Sequence, residues 1–103
     1  MIEKINRDLQ KLDAYFRSSG EMTEKERLFS RVIKLNEEVG ELCEAVLHEN
    51  DSNQRNKERE IDLDSELADV LICTLLLAQS RDTDIWTEVD KKLSKQITKF
   101  NLE

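Results

Sequence analysis

The sequence predicts an all-α chain of four helices forming a single domain over residues 1–103. Three observations predict it. Proline is absent and glycine occurs twice in 103 residues, whereas a sandwich or barrel needs turn residues about every 8–12 positions. Apolar residues recur at steps of three and four, the period of a helix face. Polar breaks interrupt that period at only a few places, and 103 residues fit one domain better than two.

The first helix is expected from Ile2 to Ser18, with Ile2, Ile5, Leu9, Leu12 and Phe16 as its stripe. Ser18-Ser19-Gly20 ends it, Gly20 being suited to a left-handed cap. The second helix opens at a capping box, Thr23 with Glu26, and runs to about His48 or Glu49. Its stripe is Leu28, Val32, Leu35, Val39, Leu42 and Val46. Gly40 inside it costs about 1 kcal/mol relative to alanine and suggests a close approach by another group. Asn50 to Asn56 is read as a polar loop. The third helix is expected to begin between Lys57 and Leu63 and to end near Ser80. Arg81-Asp82-Thr83 turns the chain, and Asp84 caps a fourth helix with Trp86, Val89, Leu93, Ile97 and Phe100 as its stripe.

The third helix is apolar on every side between Leu67 and Ala78. Such a helix must be buried on every side, which three short companions hardly achieve. A second subunit across a two-fold axis is therefore expected to cover part of it.

The charge excludes several partners. Lys and Arg number 16 against 23 Asp and Glu, a net charge of −7. That surface repels phosphate backbones, so neither nucleic acid nor an anionic membrane is an expected partner. The longest apolar run, Val70 to Ala78, is too short to span a bilayer. Met1-Ile2-Glu3-Lys4 shows no apolar signal region, and a cytoplasmic protein is expected. Cys43 and Cys73 form no metal or redox pair and are expected as buried free thiols.

Two acidic groups stand out. With Leu35 placed at zero and about 100° per residue, Glu38 borders the second helix's stripe and Glu41 lies one turn on, while Glu37 and Glu44 point elsewhere. Glu66 and Asp69 repeat the three-residue spacing, on a sector that continues as Cys73, Leu76 and Leu77. Carboxylates at the margin of apolar stripes are costly unless paired or metal-bound. Four such oxygen donors from two helices suit a hard divalent cation, Mg²⁺ above all. Arg31 and Lys34 share the Glu38 side of the second helix, and Lys92 and Lys95 supply further cations on the fourth. Trp86, Phe16 and Phe29 would stack on a nucleobase, but their helical spacing assigns them to the core.

The stretch Lys34-Leu35-Asn36-Glu37-Glu38-Val39-Gly40-Glu41-Leu42, followed after 24 residues by Glu66-Leu67-Ala68-Asp69-Val70-Leu71, resembles the MazG-like all-α nucleotide pyrophosphohydrolases. Their pattern is Glu-Glu-x-x-Glu, a gap, then Glu-x-x-Asp, and the resemblance covers about Leu28 to Phe100. It implies a four-helix MazG-like bundle assembled as an intertwined dimer or dimer of dimers. It implies hydrolysis of a nucleoside triphosphate, (d)NTP, to (d)NMP and pyrophosphate, a chemistry suited to clearing non-canonical nucleotides. It also implies Mg²⁺, with Mn²⁺ able to substitute, on Glu38, Glu41, Glu66 and Asp69. Glu37 matches the motif's first glutamate, and Glu37 or Glu41 is the expected general base. Arg31, Lys34, Lys92 and Lys95 are the expected phosphate contacts. The run Lys92 to Lys99 departs from the family's at Gln96 and Lys99. Two alternatives stand beside this reading: a phosphoribosyl-ATP or dUTP/dCTP hydrolase with a related acidic site, and a non-catalytic dimeric helical interaction module.

Overall fold

The structure, a computed structural model, describes residues 1–18, 20–50 and 61–103. Four helices account for it: α1 (Ile2–Ser18), α2 (Glu24–Asn50), α3 (Leu63–Ser80) and α4 (Ile85–Lys99). Their ends follow local chemistry. Glu26 N–H donates to Thr23 Oγ1 at 3.1 Å, and Thr23 N–H donates back to the Glu26 carboxylate at 3.0 Å, a complete capping box. The backbone bond to Thr23 leads the causes that hold the Glu26 carboxyl below its ordinary range. Asp62 caps α3 by accepting from Asp64 N–H. Asp84 caps α4, accepting from the Thr87 hydroxyl at 2.7 Å and its N–H at 3.3 Å.

Gly20 does not take the left-handed cap conformation expected of it after the first helix. Neither glycine adopts a positive φ; Asp82 (φ 55) and Asn101 (φ 56) take the left-handed conformation instead. Each completes a Schellman motif. After α3, Thr83 N–H reaches Ala78 O at 2.9 Å and Asp82 N–H reaches Gln79 O; after α4, Leu102 N–H reaches Ile97 O at 2.9 Å and Asn101 N–H reaches Thr98 O. Asp and Asn tolerate this region better than other non-glycine residues. Gly40 approaches nothing: a Cβ there would meet no atom within 4 Å. The expected polar loop begins one residue late, since Asn50 closes α2 and its amide donates to Val46 O. Its remainder, Asp51 to Asn56, lies outside the described residues.

α2 and α3 form the most extensive helix pair, and α1 packs on α3. Ala45, wholly buried, lies on the α2 side of the packing, and Leu9 of α1 joins Leu75 and Leu76 of α3 in a small core that Ile85 extends. α1 is also tied electrostatically. Asp13, 7% exposed, accepts from Arg17 Nε at 2.8 Å, and Arg17 Nη2 reaches the Ser80 carbonyl at the end of α3.

Only one margin of the apolar stripe of α2 is covered, with Leu28, Leu35 and Leu42 half-buried. The buried positions of α2 are Glu38 and Ala45, which lie about 60–80° from Leu35 on the helix. Val32, Val39 and Val46, with Phe29, Ile33 and Leu47, stay exposed on the opposite flank, as do Leu67 and Leu71 on α3. Beyond Ile85, α4 keeps its whole stripe in the open, from Trp86 to Phe100. The aromatic residues expected in a core, Phe16, Phe29 and Trp86, are thus 37%, 53% and 50% exposed within one chain. Cys43 is exposed and Cys73 half-buried, so neither thiol is the deeply buried one expected. The radius of gyration is 17.0 Å, against about 13 Å for a compact chain of this length. The accessible surface is 8387 Å², against roughly 6000 Å² for a monomer of this mass.

The Asp13–Arg17–Ser80 tie generates a test. Replacing Arg17 by leucine removes a charge-assisted link of about 1.5–3 kcal/mol. Hydrogen exchange at the C-terminal turn of α1 should then quicken by about ten-fold or more, with α2 and α3 unchanged. Equal exchange in both proteins would remove the tie from the account of how α1 is held.

Candidate metal centre

Glu38 is brought to the α2–α3 contact by its place on α2, and Glu66 and Asp69 by their three-residue spacing on α3. One ligand oxygen from each lies within 4.8 Å of the others; Glu38 and Glu66 are buried and Asp69 half-buried. In an octahedral Mg²⁺ shell, oxygens about 2.0–2.1 Å from the ion stand about 3 Å apart when adjacent and about 4.2 Å when opposite. Small side-chain rotations therefore suffice to close the trio onto such an ion.

The state of Glu38 sharpens the fit. Its Oε1 faces Lys34 Nζ at 3.2 Å, while its Oε2 is buried with no hydrogen-bond partner among the described residues. A buried carboxylate oxygen left bare costs free energy unless a cation or donor meets it. The bond from Glu38 leads the causes that hold the Lys34 ammonium above its ordinary range. Lys34 also pairs with Glu37 at 3.5 Å, and the Glu37 side chain is exposed. The residues present thus fit a hard divalent cation: all-oxygen donors, two of them on buried side chains, one of which keeps an oxygen without a hydrogen-bond partner.

The other expected site residues are distributed unevenly. Glu41 is half-buried one turn beyond Glu38 and is not part of the trio as its side chain stands. Arg31 is near, its guanidinium stacked 4.2 Å from the centroid of Phe16. Lys92 and Lys95 sit exposed on α4.

Sequence reasoning placed Cys73 and Leu76 on the carboxylate sector of the third helix but did not bring Phe16 to it. The first two were visible as a series: Cys73 and Leu76 lie four and seven residues after Asp69, as Lys34 and Arg31 lie four and seven before Glu38. The helices run in opposite directions, and the two series line one groove, with Phe16 at its end. Burial pushes the Cys73 thiol above its ordinary value, and the charge of Glu38 adds to that. Nothing in the periodicity of α1 signalled that Phe16 would stand there.

Comparison with known proteins agrees with this geometry. The model of the MazG nucleotide pyrophosphohydrolase domain matches residues 29–101. No curated protein and no solved structure matches the chain. The match spans well over half of the sequence and includes the whole carboxylate trio; the chain belongs to the MazG nucleotide pyrophosphohydrolase family.

Near-isosteric neutral replacements, Glu38→Gln, Glu66→Gln and Asp69→Asn, test the centre. Each should weaken Mn²⁺ binding, read by electron paramagnetic resonance, by about ten-fold or more, since charged contacts contribute about 1.5–3 kcal/mol. Without metal, their thermal midpoints should hold or rise, because like charges repel less. Unchanged Mn²⁺ affinity in all three would rule the trio out as a metal centre.

Proposed function

We propose that this chain hydrolyses the α–β anhydride of nucleoside triphosphates with Mg²⁺ at Glu38, Glu66 and Asp69. The observation that carries the reading is the convergence of these three carboxylates inside the segment that matches the family. The reaction takes (d)NTP and water to (d)NMP and pyrophosphate: an oxygen–phosphorus bond forms at the α-phosphorus and the bond to the bridging oxygen of the β-phosphate breaks. The bound ion would polarise phosphoryl oxygens and offset the repulsion between an anionic substrate and an acidic site.

The remaining steps fall to side chains. Glu41, one turn from Glu38, is suited to enter as a fourth oxygen ligand. Glu37 or Glu41 would take the proton of the attacking water, whichever is not committed to the ion. Lys34 keeps Glu38 oriented through Oε1 while its exposed amine faces the path of the phosphates. Arg31 lies one turn further along the same groove. A cytoplasmic setting suits a nucleotide substrate, and no described helix is long and apolar enough to cross a membrane.

A second copy of the chain is the natural cover for the exposed apolar faces. On the wheel, Lys92 and Lys95 lie about 100° and 160° from Leu93, the centre of the α4 stripe. If that stripe seats on a partner, Lys92 at its margin is the nearer of the two to whatever the partner presents there.

Two measurements test these readings. A panel of canonical and modified nucleoside triphosphates, with phosphoribosyl-ATP included, should release pyrophosphate and the matching monophosphate with Mg²⁺ or Mn²⁺, and none with chelator. Orthophosphate as the sole product, or no release from any of them, would overturn the enzymatic reading; selective release from phosphoribosyl-ATP would move it to that neighbouring activity. Light scattering should give at least twice the 12.1 kDa chain mass. Leu71→Lys, at a site 52% exposed in one chain, should lower that mass without loss of helix. A well-folded wild-type monomer would refute the assembly.

A further inference from the structure

The Glu38 carboxylate has one ion-pair partner among the described residues, the Lys34 ammonium, 3.2 Å from Oε1. A helix does not form this pairing for its own stability. Lysine four residues before glutamate is the weaker of the two orders, and exposed pairs contribute little. The two partners differ sharply in exposure: the Glu38 side chain is 9% exposed and that of Lys34 is 55% exposed. A buried charge is costly to leave uncompensated, whereas the ammonium reaches it from water on a flexible stem. The contact therefore serves Glu38.

Glu38 is also one of the three carboxylates with oxygens within 4.8 Å of one another, and its Oε2 is buried with no hydrogen-bond partner among the described residues. A divalent ion on that oxygen would stand beside the ammonium on the other, and two cations so placed repel. The residue type suits an exchange. An arginine would grip the carboxylate through two parallel bonds, while a lysine touches it as a point charge. Once released, the Lys34 amine has few partners. Glu37, at 3.5 Å, has a 59% exposed side chain and offers only a solvated contact. On the other side lies the groove, walled by Phe16, Arg31, Cys73 and Leu76 with Lys34 itself, and by no carboxylate among the described residues. An amine turned into that groove, beside a second cation, calls for an anion from outside.

We infer that Lys34 is an exchangeable counter-ion: it holds Glu38 until a divalent cation takes that carboxylate, and is then turned into the groove, where it meets the phosphates of the substrate. This rests on the metal-dependent pyrophosphohydrolase reading above and adds to it an order of events. Ion and ammonium compete for Glu38, while Glu38 and phosphate compete for the ammonium. Binding of the ion and binding of the phosphates are thereby coupled. A nucleotide that arrives without metal meets a lysine already engaged.

Mn²⁺ affinity, read by electron paramagnetic resonance, separates exchange from a merely supporting role. Lys34→Met removes the competitor and should tighten Mn²⁺ binding by about ten-fold, the scale of one charge-assisted contact; a supporting role predicts a loss instead. Lys34→Arg keeps the charge but strengthens the grip, and should weaken Mn²⁺ binding below wild type. Arg31→Met should change it by about two-fold at most, because a cation about 10 Å away along the helix is largely screened. The thermal midpoint of Lys34→Met should fall below wild type without metal and reach or pass it with saturating Mg²⁺. In wild type the ε-carbon NMR signal of Lys34, assigned by its loss in Lys34→Met, should shift with Mg²⁺ and shift again with a non-hydrolysable α,β-imido nucleotide. Unchanged or weaker Mn²⁺ binding in Lys34→Met, or a Lys34 signal that Mg²⁺ leaves in place, would overturn the exchange, while pyrophosphate release by wild type would keep the enzymatic reading standing. No Mn²⁺ binding by wild type would overturn both.

Discussion

Three carboxylate oxygens held within 4.8 Å of one another are the constraint around which the rest of this chain is arranged. Like charges so close, two of them on buried side chains, oppose the approach of α2 to α3. The two helices nonetheless form the main contact of the chain, helped by the wholly buried Ala45 two turns beyond Glu38. A cation bound at such a site would relieve that repulsion. A ligand that binds the folded chain and not the unfolded one then stabilises the fold by mass action. A metal held by these carboxylates would thereby link its occupancy to folding through one helix pair.

Much of the fold was legible in the residues, because helix ends are decided locally. Thr23 with Glu26 made the capping box its spacing predicted, and Asp84 capped the fourth helix as expected. Gly20 did not take the left-handed conformation offered for it, whereas the turn read at Arg81-Asp82-Thr83 did form, with Asp82 in that conformation. The carboxylates were legible as well, since the three-residue spacing put Glu66 and Asp69 on one face and the wheel put Glu38 at a margin. What periodicity could not supply was rotation. An apolar stripe says which side of α2 avoids water, but not whether α3 or another surface covers it. Here the margin of the stripe meets α3 and its centre remains open, so Val32, Val39 and Val46 are exposed where a core was expected.

α1 stands apart from the family segment in sequence and joins it in space. Leu9 gives it an apolar foothold on α3, and Asp13 holds Arg17 in place to reach the Ser80 carbonyl. Between those two anchors and the stack of Arg31 on Phe16, the helix is placed from three directions.

The turn between α3 and α4 is a fully hydrogen-bonded Schellman elbow, followed at once by the Asp84 cap. With so few residues and so little backbone freedom, the direction of α4 is fixed before anything packs against it. An arm whose aim is preset loses less conformational entropy when it docks than one on a slack tether. The elbow also behaves like the angle of a bracket: one residue inserted or deleted between Arg81 and Asp84 would swing the far end of a helix about 22 Å long. Relatives with the same carboxylates could in this way differ in the number and arrangement of chains they gather, through a change that touches neither the site nor the stripe.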